Sequence, residues 1–459
     1  MRIPFSTIYF RQPLGLFFLT TFYLSILLPV LVVGAAQCQS LADSGKLEPP
    51  YSLDECYRMS LAVSERLSIQ ANEIGIAESR YQATVSALYP DLDLIGRQNF
   101  RNSSNFGRLS RSNSTSEDSS NPASTSGSLG RSQSEAALSL RQPIFHGFRD
   151  FLLARAARSE ISAQESDLKR ERELLFQDVA SLYYQILYNL AQVSILEESQ
   201  RTLKSRISEL TDFVKLGKSR ESEGLAAQAE LEDLNASKER AEGATLASLE
   251  LFSFLTGVPA KDLILSEVKS MPTLPSLDSQ LAATAKRHDL QAASARVDEN
   301  LSVFKASERE RWPALDLTGN GYPLEDPDRN RAWELGIQLS LPIFDGGLIS
   351  AHQSEARAQL EQAKLRSKLA QRAAERDVRT AFAQANANLA EFTSLKNLSE
   401  TTRKNYELQK RDYGLGLVTN LDVLQAIRKV QDADIRLASA KFDYLNKLAA
   451  LRVAVGGIQ

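Results

Sequence analysis

The sequence predicts a mainly helical chain with membrane-type β-strands, built as two internal repeats. Each repeat is a long helical hairpin with two strands at its head. Three observations predict it. Landmarks between residues 143 and 257 recur 199 positions later. The stretches after each strand pair hold no proline for about a hundred residues. Short stretches at matching places alternate apolar and polar side chains, the period of a strand with one apolar face.

The repeat fixes the order of the elements. Pro143-Ile144-Phe145 falls on Pro342-Ile343-Phe344, Gly147 on Gly346, Asp178-Val179 on Asp377-Val378, Leu216-Gly217 on Leu415-Gly416, and Gly257 on Gly456. Upstream, Ser52-Leu53-Asp54 matches Ser276-Leu277-Asp278, and Pro90-Asp91-Leu92-Asp93-Leu94 resembles Pro313-Ala314-Leu315-Asp316-Leu317. The expected units are 52–257 and 277–457, joined by a linker at 258–276. Ahead of them, Arg2 and Arg11 precede an apolar run at Leu14–Val33 and then Gly34-Ala35-Ala36, a secretory signal over 1–36. Cys38 follows Gln37, which is not the small residue of a lipoprotein signal. Lipidation of Cys38, a Cys38–Cys56 disulfide and two unrelated thiols all stay open.

Within a unit, Ser52 is placed to cap a helix with Asp54 and Glu55 in its first turn, running to Leu88 before Pro90. A strand follows, with Leu92 and Leu94 against Asp91 and Asp93. Residues 101–135 hold 13 serines and read as a loop without a core. The clearest strand is Trp333–Leu341, with Trp333, Leu335, Ile337, Leu339 and Leu341 on one face. Nine residues suits a tilted strand crossing a bilayer. Pro143 and Pro342 are expected to end strands, because proline donates no ladder hydrogen bond. Gly147 and Gly346 let the backbone turn into a helix. The helix from Gly147 to Leu216 would be about 105 Å long at ~1.5 Å per residue, and those at Ser52–Tyr89 and Glu221–Thr256 about 57 and 54 Å. The two short helices are therefore expected end to end beside the long one. Leu203, Ile207, Leu210 and Val214 form a seam at coiled-coil spacing. A new helix is expected after Leu415-Gly416, capped by Asn420.

Such a chain must assemble. Four strands cannot close a barrel, and lipid tolerates no open strand edge. Three chains supply twelve strands, an even number in the range of known barrels, and their helices continue as a tube.

At this point the residues carry a resemblance. Ser52-Leu53-Asp54-Glu55-Cys56, the doubled Pro-Ile-Phe-X-Gly, Ala285-Lys-Arg-His-Asp-Leu-Gln-Ala-Ala293 and Tyr413-X-X-Gly-X-X-Thr-X-X-Asp-Val-Leu-X-Ala426 occur in the order of the TolC-like outer membrane efflux proteins, which the chain resembles over residues 50–457. The resemblance implies a trimer with a twelve-stranded outer-membrane barrel and a periplasmic helical tube. It implies an exit duct for efflux or type I secretion, partnered by a periplasmic membrane-fusion adaptor and an inner-membrane RND or ABC transporter. In that family, residues near the second tip hold the tube shut. Tyr413 and Asp422 match that pattern, while Val418 stands in place of an arginine and Gln425 in place of a second aspartate. The expected constriction is thus Tyr413, Asp422 and Gln425, with Asp422 as either an acidic ring or a plain helix-start residue. Leu216, Gly217, Ser219, Leu415, Gly416 and Thr419 are candidates for adaptor docking, or for turn geometry alone.

Chemistry of other kinds finds little support. Gly217-Lys218-Ser219 ends like a phosphate-binding loop, but position 212 is Asp212 where that loop needs glycine. Three histidines and two cysteines leave little for a metal or nucleophilic site. No cofactor and no enzyme activity are expected. The net charge of −3 gives no reason to expect a nucleic-acid partner. A soluble periplasmic coiled-coil scaffold is the alternative, opposed by the apolar face at 333–341.

Overall fold

A computed structural model describes residues 49–100, 132–268, 270–323 and 332–457. The signal and Cys38 lie outside them. The long helices are α3 (Arg149–Lys215) and α7 (Leu348–Gly414), 67 residues each; α4 (Glu221–Thr256) and α8 (Asn420–Val455) have 36 each. All eight boundaries are displaced by 199 between the halves. Each 36-residue helix folds back along its 67-residue partner, and α8 also packs on α3.

The helix before the first strand is not continuous, a departure from the sequence expectation. It divides into α1 (Leu53–Val63) and α2 (Glu65–Ser86) at Ser64, whose hydroxyl accepts the Leu67 N–H. The break falls where the first helix meets the end of α4. α4 ends at Gly257, where a Cβ would lie 2.9 Å from the Val63 side chain. α1 runs beside the end of α4, touching both α3 and α4, and α2 continues along α3. Only α2 extends the line of α4. In the second half, α5 (Leu277–Ala283) and α6 (His288–Glu308) are likewise separate. Ser52 does cap α1, in a reciprocal capping box with Glu55.

The strands β1 (Asp91–Phe100), β2 (Ser132–Phe145), β3 (Ala314–Gly321) and β4 (Trp333–Ser340) form one antiparallel sheet in that order. The two heads are therefore one sheet, joined through β2 and β3. Leu92 pairs with Leu140, Leu94 with Leu138, Leu315 with Leu339, Leu317 with Ile337, Gly319 with Leu335 and Gly321 with Trp333. Partners share a face, so one side of the sheet is apolar on all four strands except for Gln98 and Gln142. Asp91, Asp93, Arg141, Asp316, Thr318 and Gln338 alternate to the other side.

Two expectations about strand ends are corrected. Pro143 does not end β2. It pairs with Asp316, and β2 continues to Phe145 across an irregularity at Ile144, which absorbs the missing donor. β4 stops at Ser340, two residues before Pro342, where its partner is Ala314, the first residue of β3, and the next residue of the partner strand would be Pro313, which has no N–H to give. The loop expected at 101–135 lies mostly outside the described residues, but 132–135 are strand backbone paired to β1. Their polar composition hides the strand.

The main core lies where α1, α3, α4, the 258–276 segment and α8 converge, around Tyr51, Tyr183, Ile186, Phe252 and Tyr444. Tyr51 forms a parallel bridge with Leu265, and Tyr183 and Tyr444 donate to the carbonyls of Ser266 and Pro272, both at 2.8 Å. Cys56 is free and fully buried there, and burial pushes its thiol up to about 12. Cys38, the other half of the disulfide the sequence left open, lies outside the described residues.

Candidate functional site at the helix tips

Each hairpin tip is a Schellman turn, which accounts for its glycine. The Gly217 N–H donates to the Val214 carbonyl (3.0 Å) and the Lys218 N–H to that of Phe213 (2.8 Å). Gly416 donates to Tyr413 (2.9 Å) and Leu417 to Asp412 (3.0 Å). The pattern needs a left-handed residue, and Gly217 and Gly416 have φ of +70° and +74°.

The returning helices start differently. Thr419, not Asn420, caps α8. Its hydroxyl accepts the Asp422 N–H, while Asp422 Oδ2 accepts from the Thr419 hydroxyl (2.6 Å) and N–H (2.8 Å). The hydroxyl first, and the N–H second, hold the Asp422 carboxyl below its ordinary range. α4 has no side-chain cap, but Ser219 donates to Glu223 at 3.0 Å.

The tips are tied together through Arg206 and Glu223, which the sequence reading did not single out, joined to Tyr413 and Asn420, which it did. The Tyr413 hydroxyl donates to Glu223 Oε2 at 3.0 Å, joining α7 to α4. The Arg206 guanidinium lies 3.8 Å over the Tyr413 ring and donates from Nε and Nη2 to Asn420 Oδ1 at 3.1 and 3.0 Å. Asn420 in turn donates to the Glu223 carbonyl at 3.3 Å. Arg206 and Asn420 are 4% and 2% exposed, while Tyr413 and Glu223 are half-buried, so the knot is closed off at its Arg206–Asn420 side. Burial pushes the Tyr413 hydroxyl up, keeping it neutral and a donor. The available signal was Arg206 itself, a charge beside the apolar seam at Leu203, Ile207 and Leu210.

Of the expected residues, Ser219 and Tyr413 meet through Glu223, and Thr419 meets Asp422. Gln425 is exposed, and its side chain forms no hydrogen bond among the described residues. Leu216 and Leu415 project at 66% and 67% exposure, beside Leu417 at 71%. At the opposite end, Gly147 and Gly346 both have positive φ, +62° and +68°. Gly147 carries a second constraint, since a Cβ there would lie 2.8 Å from Trp312 Cβ. Pro143 and Pro342 precede these turns.

The chain matches the family described as outer membrane efflux protein twice, over residues 58–258 and 281–457. The outer membrane protein TolC of Escherichia coli (strain K12) is 21% identical over 453 residues, covering 94% of this chain and 86% of that protein. The alkaline protease secretion protein AprF of Pseudomonas aeruginosa is 24% identical over 346 residues, covering 70% and 69%. In structure, the chain resembles the outer membrane protein VceC of Vibrio cholerae with a TM-score of 0.73 at 17% identity, covering 88% of this chain and 96% of that one. With both halves matched, the chain belongs to the outer membrane efflux protein family.

Proposed function

We propose that three copies of this chain close into one outer-membrane exit duct. Twelve strands cross the lipid, and the helical hairpins continue as a tube into the periplasm. An inner-membrane RND or ABC transporter, with a periplasmic adaptor, delivers cargo into it. The sheet carries this reading: one face is apolar on all four strands, and β1 and β4 remain open edges that lipid forbids. Selection of cargo, whether a small molecule or a protease as in AprF's name, belongs to the transporter. The chain works as a conduit and not as a catalyst. The expected result is fractionation into the outer membrane as a heat-modifiable band. Recovery as a monomer from the soluble periplasm would sink the reading.

The knot at the tips is the proposed gate. Arg206, Tyr413, Glu223 and Asn420 hold the second hairpin against the first, and Asp422 and Gln425 follow on α8 as the constriction. Asp422→Ala is expected to raise single-channel conductance and to weaken block by divalent cations; unchanged values would remove Asp422 from the constriction. The exposed Leu216 and Leu415, on turns set by Gly217 and Gly416 and flanked by Ser219 and Thr419, are the proposed adaptor-docking surface. Leu216→Asp with Leu415→Asp should abolish adaptor co-purification while the trimer persists.

A further inference from the structure

Just below the sheet, the outer side of the α3–α6 pair carries aromatic and then basic side chains. Contacts identify that side. Phe145 pairs with Leu315 on the apolar face of the sheet. Phe148 packs edge-on to Phe145, Phe151 lies next to Phe148 with centroids 6.4 Å apart, and the Trp312 ring is 6.4 Å from that of Phe145. Steps of seven along α3 from Phe148 reach Arg155, then Phe176 and Tyr183. Phe176 meets Tyr57 of α1 and Tyr183 bonds the Ser266 carbonyl of the 258–276 segment. One face of α3 therefore continues the apolar face of the sheet and carries Arg155 on it.

Four cations stand below the aromatic side chains: Arg155 and Arg158 on α3, Lys305 on α6, and Arg309 on the turn after it. α3 leaves the sheet and α6 approaches it, with Trp312 covering Gly147. Lys305 precedes Trp312 by seven residues and Arg155 follows Gly147 by eight. Both thus lie about 11 Å below the joint at ~1.5 Å per residue. The Arg309 guanidinium is held 4.3 Å over the Trp312 ring. None of the four forms an ion pair among the described residues. Of the acids in 148–158 and 305–312, Asp150 is taken by His146 at 2.7 Å, and Glu310 by Arg149 at 3.8 Å and His352 at 3.1 Å. Glu308 alone is exposed. The fold does not demand this cluster. At the other joint, 199 positions on, Phe151 and Arg155 become Ser350 and Ser354. Moving back 223 positions, the distance from Pro313 to Pro90, turns Lys305 and Arg309 into Gln82 and Ser86.

Resting on the barrel reading above, we propose that this surface binds the headgroup of an anionic phospholipid of the periplasmic leaflet. Aromatic girdles mark the level at which a barrel leaves the hydrocarbon. Phe148, Phe151 and Trp312 form that level here, so the cations fall in the headgroup layer. A phosphodiester suits them, because a guanidinium bonds two phosphate oxygens in one plane. The acyl chains lie against Phe148 and Phe151, which are 58% and 61% exposed in the single chain. A zwitterionic headgroup brings its own cation, which four positive side chains facing one acid repel. A free phosphate ion gains the guanidinium contacts but nothing from the rings.

The test uses the full chain purified in detergent and followed by native mass spectrometry with added lipid. Phosphatidylglycerol and phosphatidylcholine with the same acyl chains are compared, and inorganic phosphate is the competitor. The trimer is expected to retain phosphatidylglycerol at least about five-fold over phosphatidylcholine, the effect of one basic residue near an anionic surface. Phosphate should not displace it. Arg155→Gln, Lys305→Gln and Arg309→Gln combined should bring the two lipids level. Lys215→Gln, Lys218→Gln and Arg220→Gln, which remove the same charge at the far tip, should leave the preference unchanged. Glu308→Gln removes the exposed acid and should raise the preference without disturbing Arg309 on Trp312. A trimer that takes both lipids equally, keeps its preference without the three cations, or yields its lipid to phosphate overturns the site and leaves the duct standing. A monomer by native mass overturns the ring assembly on which the site rests.

Discussion

At Gly147 two demands meet: a backbone φ of +62° and the Trp312 side chain where a Cβ would lie. A left-handed φ alone costs an ordinary residue about 1–2 kcal/mol. Gly147→Ala must also displace Trp312, so it should lower thermal stability more than Gly257→Ala does, where the opposing atom is the end of the Val63 side chain. At the tip, Thr419→Ala removes the α8 cap and should cost about 1 kcal/mol by thermal unfolding. Asp422 gives a pH dependence of known sign. Its carboxyl is held below the ordinary aspartate value of 3.8, so its contribution is present above that value and is lost as pH falls through the lowered one. The protection factors of the amides at Thr419–Asp422, taken against the intrinsic exchange rate at each pH, should fall on acidification below that value, and Asp422→Asn should flatten that response. The glycines and Asp422 were legible in the sequence, because local backbone rules select their residue types. Phe148 was not: it takes a φ of +62° where the second half has Gly347, and packs edge-on to Phe145 with ring centroids 5.3 Å apart.

Among elements, the long helices were legible nearly to the residue, because a proline-free run between a Pro-bounded strand and a glycine turn has one reading. The division of α1 from α2 was not. No proline stands between residues 52 and 88, and Ser64, which caps α2, was one serine among several; the break falls beside the end of α4, some 200 positions away. The knot at the tips was hidden for the same reason. Arg206 is a good helix former wherever it points, and only the packing of α8 on α3 makes it the partner of Asn420. Arg206→Ala should leave Asn420 Oδ1 buried and unpaired, costing about 1–3 kcal/mol, and should raise the open fraction in single-channel recordings. Arg206→Lys should not restore the closed state, since an ammonium lacks the planar fork that bonds Asn420 while lying over Tyr413.

For the whole molecule, the sheet predicts opposite outcomes for neighbouring residues. Ile337 lies on the apolar face and is 70% exposed in the single chain. Ile337→Arg should cost about 2–4 kcal/mol near mid-membrane and cut the yield of heat-modifiable trimer. Gln338→Arg, on the polar face, should insert normally and change conductance.

The sequence by itself determined the two-fold repeat, the alternation that makes the strands amphipathic, the helix lengths and the glycine turns. Each depends on interactions within a few residues or on a pattern visible along the chain. The tertiary structure alone decided that the two heads form one sheet through β2 and β3, that α1 steps aside at Gly257, and that Arg206 meets Asn420 and Tyr413. These are meetings of side chains about 200 positions apart. Local preference is indifferent to them, and packing selects them only once the hairpins lie side by side.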